Sequence, residues 1–189
     1  MDKQHSAHQF KELYKDLDID LSALGCVMAD VYPITIEKFS EPYEFYTSTD
    51  PKKHWIKGWV ADKNPHVTLL YGLLSPAKKI AKQIKTVLKG WTLSSVKVES
   101  VEYFDSPYPE EEYYCIIAKI SLTPSILEAH QRLQFLPHIN TFAGYVPHVT
   151  LCYIKKDSKQ RDALIEALTP QLVGKELLIR SNLNLGDKE

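Results

Sequence analysis

Apolar residues recur along the chain in two rhythms. One has the 3.6-residue period of a helix; the other alternates or runs unbroken for a few residues, as strands do. Phe10, Leu13, Tyr14 and Leu17 share one helical face within 6–17. Leu24 to Val31 is a continuous small and apolar run, the pattern of a buried strand, and His66 to Leu74 reads as a second. Ser75-Pro76 carries the cap-plus-proline signature of a helix start. In that helix Ile80, Ile84, Val87 and Leu88 face the core, Lys78, Lys79, Lys82, Lys85 and Lys89 face outward or line a groove, and Gly90 closes it. Strands over Trp91 to Phe104 and Glu112 to Leu122 flank a turn at Asp105 to Glu111. Thr123-Pro124 opens another helix that ends near Leu136-Pro137, and His148 to Ile154 is a strand. Asp157 to Leu168 reads as a helix and Glu176 to Leu185 as the last strand. Helices mixed with hairpin-like strands predict an α+β fold, not a doubly wound parallel sheet.

The segment 32–65 breaks both rhythms. It holds Pro33, Pro42, Pro51, Gly58 and Pro65 together with Tyr43, Phe45, Tyr46, Trp55 and Trp59. A loop of that length is functional or conceals a short hairpin, and so many aromatics argue against disorder.

The chemistry sits in an internal repeat. Pro65-His-Val-Thr-Leu-Leu-Tyr71 and Pro147-His-Val-Thr-Leu-Cys-Tyr153 differ only at the sixth position and lie 82 residues apart. Each copy is followed by a helix and then a strand, so two related lobes each contribute one motif strand. Strand alternation puts His66 and Thr68 on one face, and likewise His148 and Thr150. The same alternation puts Val67, Leu69 and Tyr71, with Val149, Leu151 and Tyr153, on the other. A pseudo-twofold axis would gather two imidazoles and two hydroxyls in one cleft. One imidazole can take a proton from an attacking hydroxyl while the other protonates the leaving oxygen, since histidine's ordinary pKa of about 6.5 permits both roles. The threonine hydroxyls can donate to non-bridging phosphate oxygens as charge builds there. Metal binding is the weaker reading: two histidines have no third ligand at a recognisable spacing, and HExxH is absent. His138 is expected in a loop, and His54 and His130 at the surface.

Composition changes this picture only by exclusion. The 189 residues are 44% hydrophobic, enough to bury a core in one bilobal domain spanning 1–189. A formal net charge of -1 leaves an anionic substrate to be held by a local site, and speaks against binding duplex DNA through many phosphate contacts. Cys26, Cys115 and Cys152 are an odd number without a CxxC pair, expected as buried reduced thiols in a cytoplasmic protein. The polar, charged stretch Met1 to Leu17 is not expected to act as a signal peptide, and no apolar run reaches the roughly 20 residues a membrane span needs.

The paired His-x-Thr strands resemble those of the 2H phosphoesterase superfamily, which includes RNA 2′,3′-cyclic phosphodiesterases. Over Leu24 to Asp30, His66 to Gly72 and Pro147 to Leu151 the chain is similar to the phage anti-CBASS phosphodiesterases within it. That resemblance implies two pseudo-symmetric α+β lobes with antiparallel sheets flanking a central cleft, and no cofactor or metal. It implies His66, Thr68, His148 and Thr150 as catalytic residues. It also implies cyclic di- and trinucleotide substrates such as 3′,3′-cGAMP, cleaved in the host cytoplasm to block CBASS immunity. The family holds bases with aromatic and acidic side chains, for which Tyr32, Trp91, Tyr145 and Glu176 are the candidates here, with core or loop packing the alternative for each aromatic; a lid over the ligand is the alternative reading of Trp55 and Trp59. The alternatives are an RNA 2′,3′-cyclic phosphodiesterase and a non-catalytic nucleotide sponge, the second disfavoured by intact His and Thr in both motifs.

Overall fold

The computed structural model describes residues 24–37, 44–46, 55–57, 64–105, 112–140 and 144–186. The helix expected over 6–17, His54 and Trp59 lie outside them. The strands are β1 (Gly25–Val31), β2 (Glu44–Tyr46), β3 (Trp55–Lys57), β4 (His66–Leu73), β5 (Ser95–Asp105), β6 (Tyr113–Ile120), β7 (His148–Lys155) and β8 (Glu176–Asn184). The helices are α1 (Ala81–Val87), α2 (Pro124–Leu133) and α3 (Ser158–Leu172).

Six strands pair antiparallel in the order β7-β4-β1-β8-β5-β6, and β6 returns to pair with β7, so the sheet curls onto itself. The two halves match. In one, β1 lies between the motif strand β4 and β8; in the other, β6 lies between the motif strand β7 and β5. They meet where Val67 opposes Val149 and where Ser95 to Lys97 oppose Leu178 to Glu176. The segment 32–65 does contain a hairpin: β2 and β3 pair with each other, and β2 pairs with β7 through Phe45 opposite Ile154 and Tyr46 opposite Tyr153.

Helices cover one face of this sheet. Ile126, Ala129 and Leu133 of α2 are fully buried on the side packed against β4, and Leu164, Leu168 and Leu172 of α3 form the stripe against β5, β6 and β7. Val67, Leu69, Val149 and Leu151 are buried in the same core. Each such side chain contributes about 1.5–3 kcal/mol by leaving water. The opposite face, bearing the motif histidines, is left uncovered by the three described helices.

Several boundaries differ from those expected. The helix after β4 begins at Ala81 rather than Ser75; Ile80 is its cap residue and makes no side-chain cap, and the Lys79 amide donates to the Pro76 carbonyl in a tight turn. Here backbone presses on backbone, because a Cβ added at Gly25 would overlap Ser75 O and Ala77 N. The prediction was right for α2 at its start, where Thr123 accepts the Ile126 amide at 3.4 Å. For α3 the helix begins at Ser158, one residue after the expected start, and Asp157 is its cap, accepting from Lys159 and Gln160 at 2.9 and 3.1 Å. Yet α3 runs on through Pro170 to Leu172. The missing proline donor is offset because Leu164, Leu168 and Leu172 fall on one buried stripe at i, i+4 and i+8. No described helix is long and apolar enough to cross a membrane.

Candidate active site

The pairing of Val67 with Val149 organises the site. In antiparallel register it puts His66 across from Thr150 and Thr68 across from His148, so the two motifs are related by a local twofold about the valines. Directly opposed residues point to the same face. The expected convergence of His66, Thr68, His148 and Thr150 is therefore the geometry found, and all four side chains are partly exposed on the face away from the helices.

Both imidazoles are held in the same way. His66 Nδ1 lies 2.8 Å from the Asn64 carbonyl and His148 Nδ1 lies 2.9 Å from the Val146 carbonyl, each two residues back. A carbonyl can only accept, so Nδ1 carries the proton in each neutral ring. Nε2 then points its lone pair away from the backbone and is the nitrogen able to exchange protons with a substrate. Phe104 packs edge-on against the His148 ring, centroids 4.9 Å apart, and restrains it further.

The threonines are matched as well. The Cys26 thiol hydrogen-bonds Thr68, and Cys115 Sγ lies 3.8 Å from Thr150 Oγ1. Cys26 and Cys115 are only partly buried, whereas Cys152 is buried as expected. Burial still pushes the Cys26 thiol up to about 11, so it is a neutral neighbour of Thr68 rather than a thiolate.

Cross-strand neighbours break the symmetry. Asp30 stands opposite His66, while Lys119 stands opposite His148. Asp30 Oδ1 accepts from Asn184 at 2.9 Å, and Lys119 lies 3.3 Å from Glu99 and 4.0 Å from Glu102.

The four side chains suggested for base contact are scattered. Tyr32, half exposed at 50%, shares the face of Asp30 two residues earlier, with the Arg180 guanidinium 5.0 Å from its ring centre. Trp91 donates its indole N–H to Ser125 O at 2.8 Å and packs onto the core beside the start of α2. Glu176, at the start of β8, accepts from Ser95 at 3.2 Å at the β5–β8 seam. Tyr145 is engaged inside the protein: its hydroxyl donates to Thr68 O at 2.9 Å and its ring stacks on His130 at 3.9 Å. Burial raises its phenol well above the ordinary value, so it remains a donor. His130 is likewise not the surface residue expected, because its Nδ1 reaches Leu69 O at 2.7 Å. His138 bridges to Leu73.

One prediction of facing was wrong. Tyr71 and Tyr153 do not join the valines; they are on the histidine face. Met28 pairs with Thr68 and Val27 with Leu70, skipping Leu69, while Ile117 pairs with Thr150 and Ile116 with Cys152, skipping Leu151. One extra residue in a strand reverses all later facing. Sequence reasoning also missed Asp30, Lys119 and Phe104, which lie near the motifs only across strands. The tyrosines did have a signal, since the repeat carries them in both copies.

Among the described residues no group of three or more metal-ligating side chains gathers. No curated protein sequence matches the chain significantly. Among solved structures, that of Usb1 from Kluyveromyces marxianus is similar at 10% identity and a TM-score of 0.49, over 88% of this chain and 94% of that one. The model of the 2′-5′ RNA ligase superfamily, a group of phosphoesterases, matches residues 34–181 and so takes in both His-Val-Thr strands. With that match over most of its length, and with both motifs paired across one seam, the chain belongs to the 2′-5′ RNA ligase superfamily.

Proposed function

We propose that the protein is a metal-independent phosphodiesterase that opens cyclic di- and trinucleotide messengers such as 3′,3′-cGAMP, and that it serves phage evasion of CBASS immunity. The single observation behind the chemistry is the Val67–Val149 register, which gathers two Nδ1-anchored imidazoles and two hydroxyls at one place. The ribose 2′-hydroxyl next to the scissile bond loses its proton to one Nε2 and its oxygen bonds to phosphorus. The other ring, as imidazolium, gives a proton to the departing 5′-oxygen as its bond to phosphorus breaks. Thr68 and Thr150 donate to the non-bridging oxygens. The resulting 2′,3′-cyclic phosphate is opened by water with the two proton transfers reversed. The choice of a cyclic messenger rests on the likeness of Leu24 to Asp30 and His66 to Gly72 to the anti-CBASS enzymes, and on the exposed Tyr32–Arg180 pair beside the His66 end.

The test is incubation of the purified protein with 3′,3′-cGAMP and EDTA, followed by chromatography. Loss of the dinucleotide despite chelation is the expected result. Intact dinucleotide, with cleavage confined to RNA ends bearing 2′,3′-cyclic phosphates, would replace this reading with RNA-end processing. Binding without turnover would make the protein a sponge.

A further inference from the structure

The repeated tyrosine has no place in the two-histidine chemistry, yet matched bulges at Leu69 and Leu151 turn it onto the histidine face twice. The bulge signature is visible in burial. Leu69 and Leu70 are consecutive and buried, as are Leu151 and Cys152, whereas Tyr71 and Tyr153 are partly exposed. Tyr71 stands opposite Cys26, and Tyr153 opposite Cys115, the two residues whose thiols touch the motif threonines. Strict alternation would have buried both phenol rings beneath the helices.

Antiparallel pairing about the valines fixes the order along the seam. Tyr71 comes first, then Thr68 beside His148, then His66 beside Thr150, then Tyr153. Because of the bulge, each tyrosine lies only two partner-strand residues, about 7 Å at 3.3 Å per residue, beyond its own threonine. The seam thus has a phosphate-handling centre with one aromatic side chain at each end. On the Tyr153 side the surface is further lined by Tyr113, whose ring meets Tyr153 edge-on at 5.2 Å.

We propose that Tyr71 and Tyr153 flank the bound phosphodiester, one against each of its two nucleosides, so that the site selects a linkage with a nucleoside on both sides. This rests on the phosphodiesterase reading and narrows its substrate class. A terminal 2′,3′-cyclic phosphate has a nucleoside on one side only and meets one of the two rings. A base stacked on an aromatic side chain tolerates any sequence because every base has a π face. The contact therefore needs the ring and not the hydroxyl.

The experiment compares the wild type with Tyr71→Leu, Tyr71→Phe, Tyr153→Leu and Tyr153→Phe, leucine being used to keep apolar volume at half-buried positions. Steady-state kinetics on adenylyl-(3′→5′)-adenosine and on adenosine 2′,3′-cyclic phosphate give KM and kcat separately. Each leucine variant raises KM for the dinucleotide about tenfold, as loss of one stacked base implies, while phenylalanine stays within about twofold of the wild type. For the one-sided substrate only one of the two positions matters. The proposal is overturned if either leucine variant leaves the dinucleotide KM unchanged. Phenylalanine variants as damaged as the leucine ones, or leucine variants that damage the one-sided substrate equally, overturn it too. Should the wild type cleave neither compound, the same comparison is made on 3′,3′-cGAMP, and if that too stays intact the phosphodiesterase reading has failed. Calorimetric titration of a 2′-deoxy dinucleotide then still reads the tyrosines: affinity lost in both leucine variants supports the flanking role, and affinity unchanged or absent in the wild type removes it.

Discussion

Val67 of β4 lies directly across from Val149 of β7, and this pair is the register between the two motif strands. It leaves no freedom in which residues meet: each histidine is placed beside the other motif's threonine.

If those side chains act as one unit, His66→Ala and His148→Ala each lower kcat by about 10²- to 10⁴-fold. Substrate affinity, read with an uncleavable 2′-deoxy analogue, changes little. The double variant is scarcely worse than either single one, because groups that act together are not additive. Full activity in either single variant would contradict the two-histidine mechanism.

The carbonyls of Asn64 and Val146 set the tautomer of both rings. Long-range ¹H–¹⁵N NMR of the neutral protein should show protonated Nδ1 and unprotonated Nε2 at His66 and at His148. An Nε2–H tautomer at either would mean that the backbone anchor is not formed in solution.

Tyr145 and His130 brace β4 from behind, one bonded to Thr68 O and the other to Leu69 O. Tyr145→Phe leaves the Thr68 carbonyl without that donor and costs about 1–3 kcal/mol in urea unfolding. His130→Ala and Tyr145→Phe are expected to be coupled in a double-mutant cycle, since the rings stack at 3.9 Å. Additivity would show that the two contacts are separate.

Cys26 predicts a pH dependence with a definite sign. Its thiol ionises at about 11 in the folded protein against an ordinary value of 9.0, so between those values the folded state holds the proton more tightly than the unfolded chain does. The stabilisation is fully present below about pH 9 and is lost as pH rises towards 11. Two pH units correspond to about 2–3 kcal/mol. Other groups titrate in the same range, so the measurement is the difference between wild type and Cys26→Ser in urea unfolding from pH 8 to pH 11. Parallel curves would remove the effect. In the same window Cys26 should be alkylated slowly by iodoacetamide at pH 8.

Much of this molecule is legible without coordinates because the signals are local. Thr123 caps the helix it was expected to cap, and Asp157, read as the first residue of its helix, caps it, since a short oxygen-bearing side chain satisfies amides two or three residues away. The His-x-Thr pairs could be placed on one face because strand alternation is a property of the strand itself. What failed was non-local. Leu69 and Leu151 carry no mark of a bulge, because a bulge exists only relative to the neighbouring strand. Tyr145 looked available beside its motif, but α2 brings His130 against it from elsewhere in the chain.

The repeat by itself determined that two imidazoles and two hydroxyls belong to one site, and strand periodicity determined which residues of each motif share a face as far as the threonine. Tertiary structure decided the rest. It set the seam at Val67–Val149, put Asp30 beside one histidine and Lys119 beside the other, and turned Tyr71 and Tyr153 outward. The reason is physical: periodicity is encoded in each strand's own backbone, whereas register and bulges are chosen by the strands, helices and side chains that a segment meets only after folding.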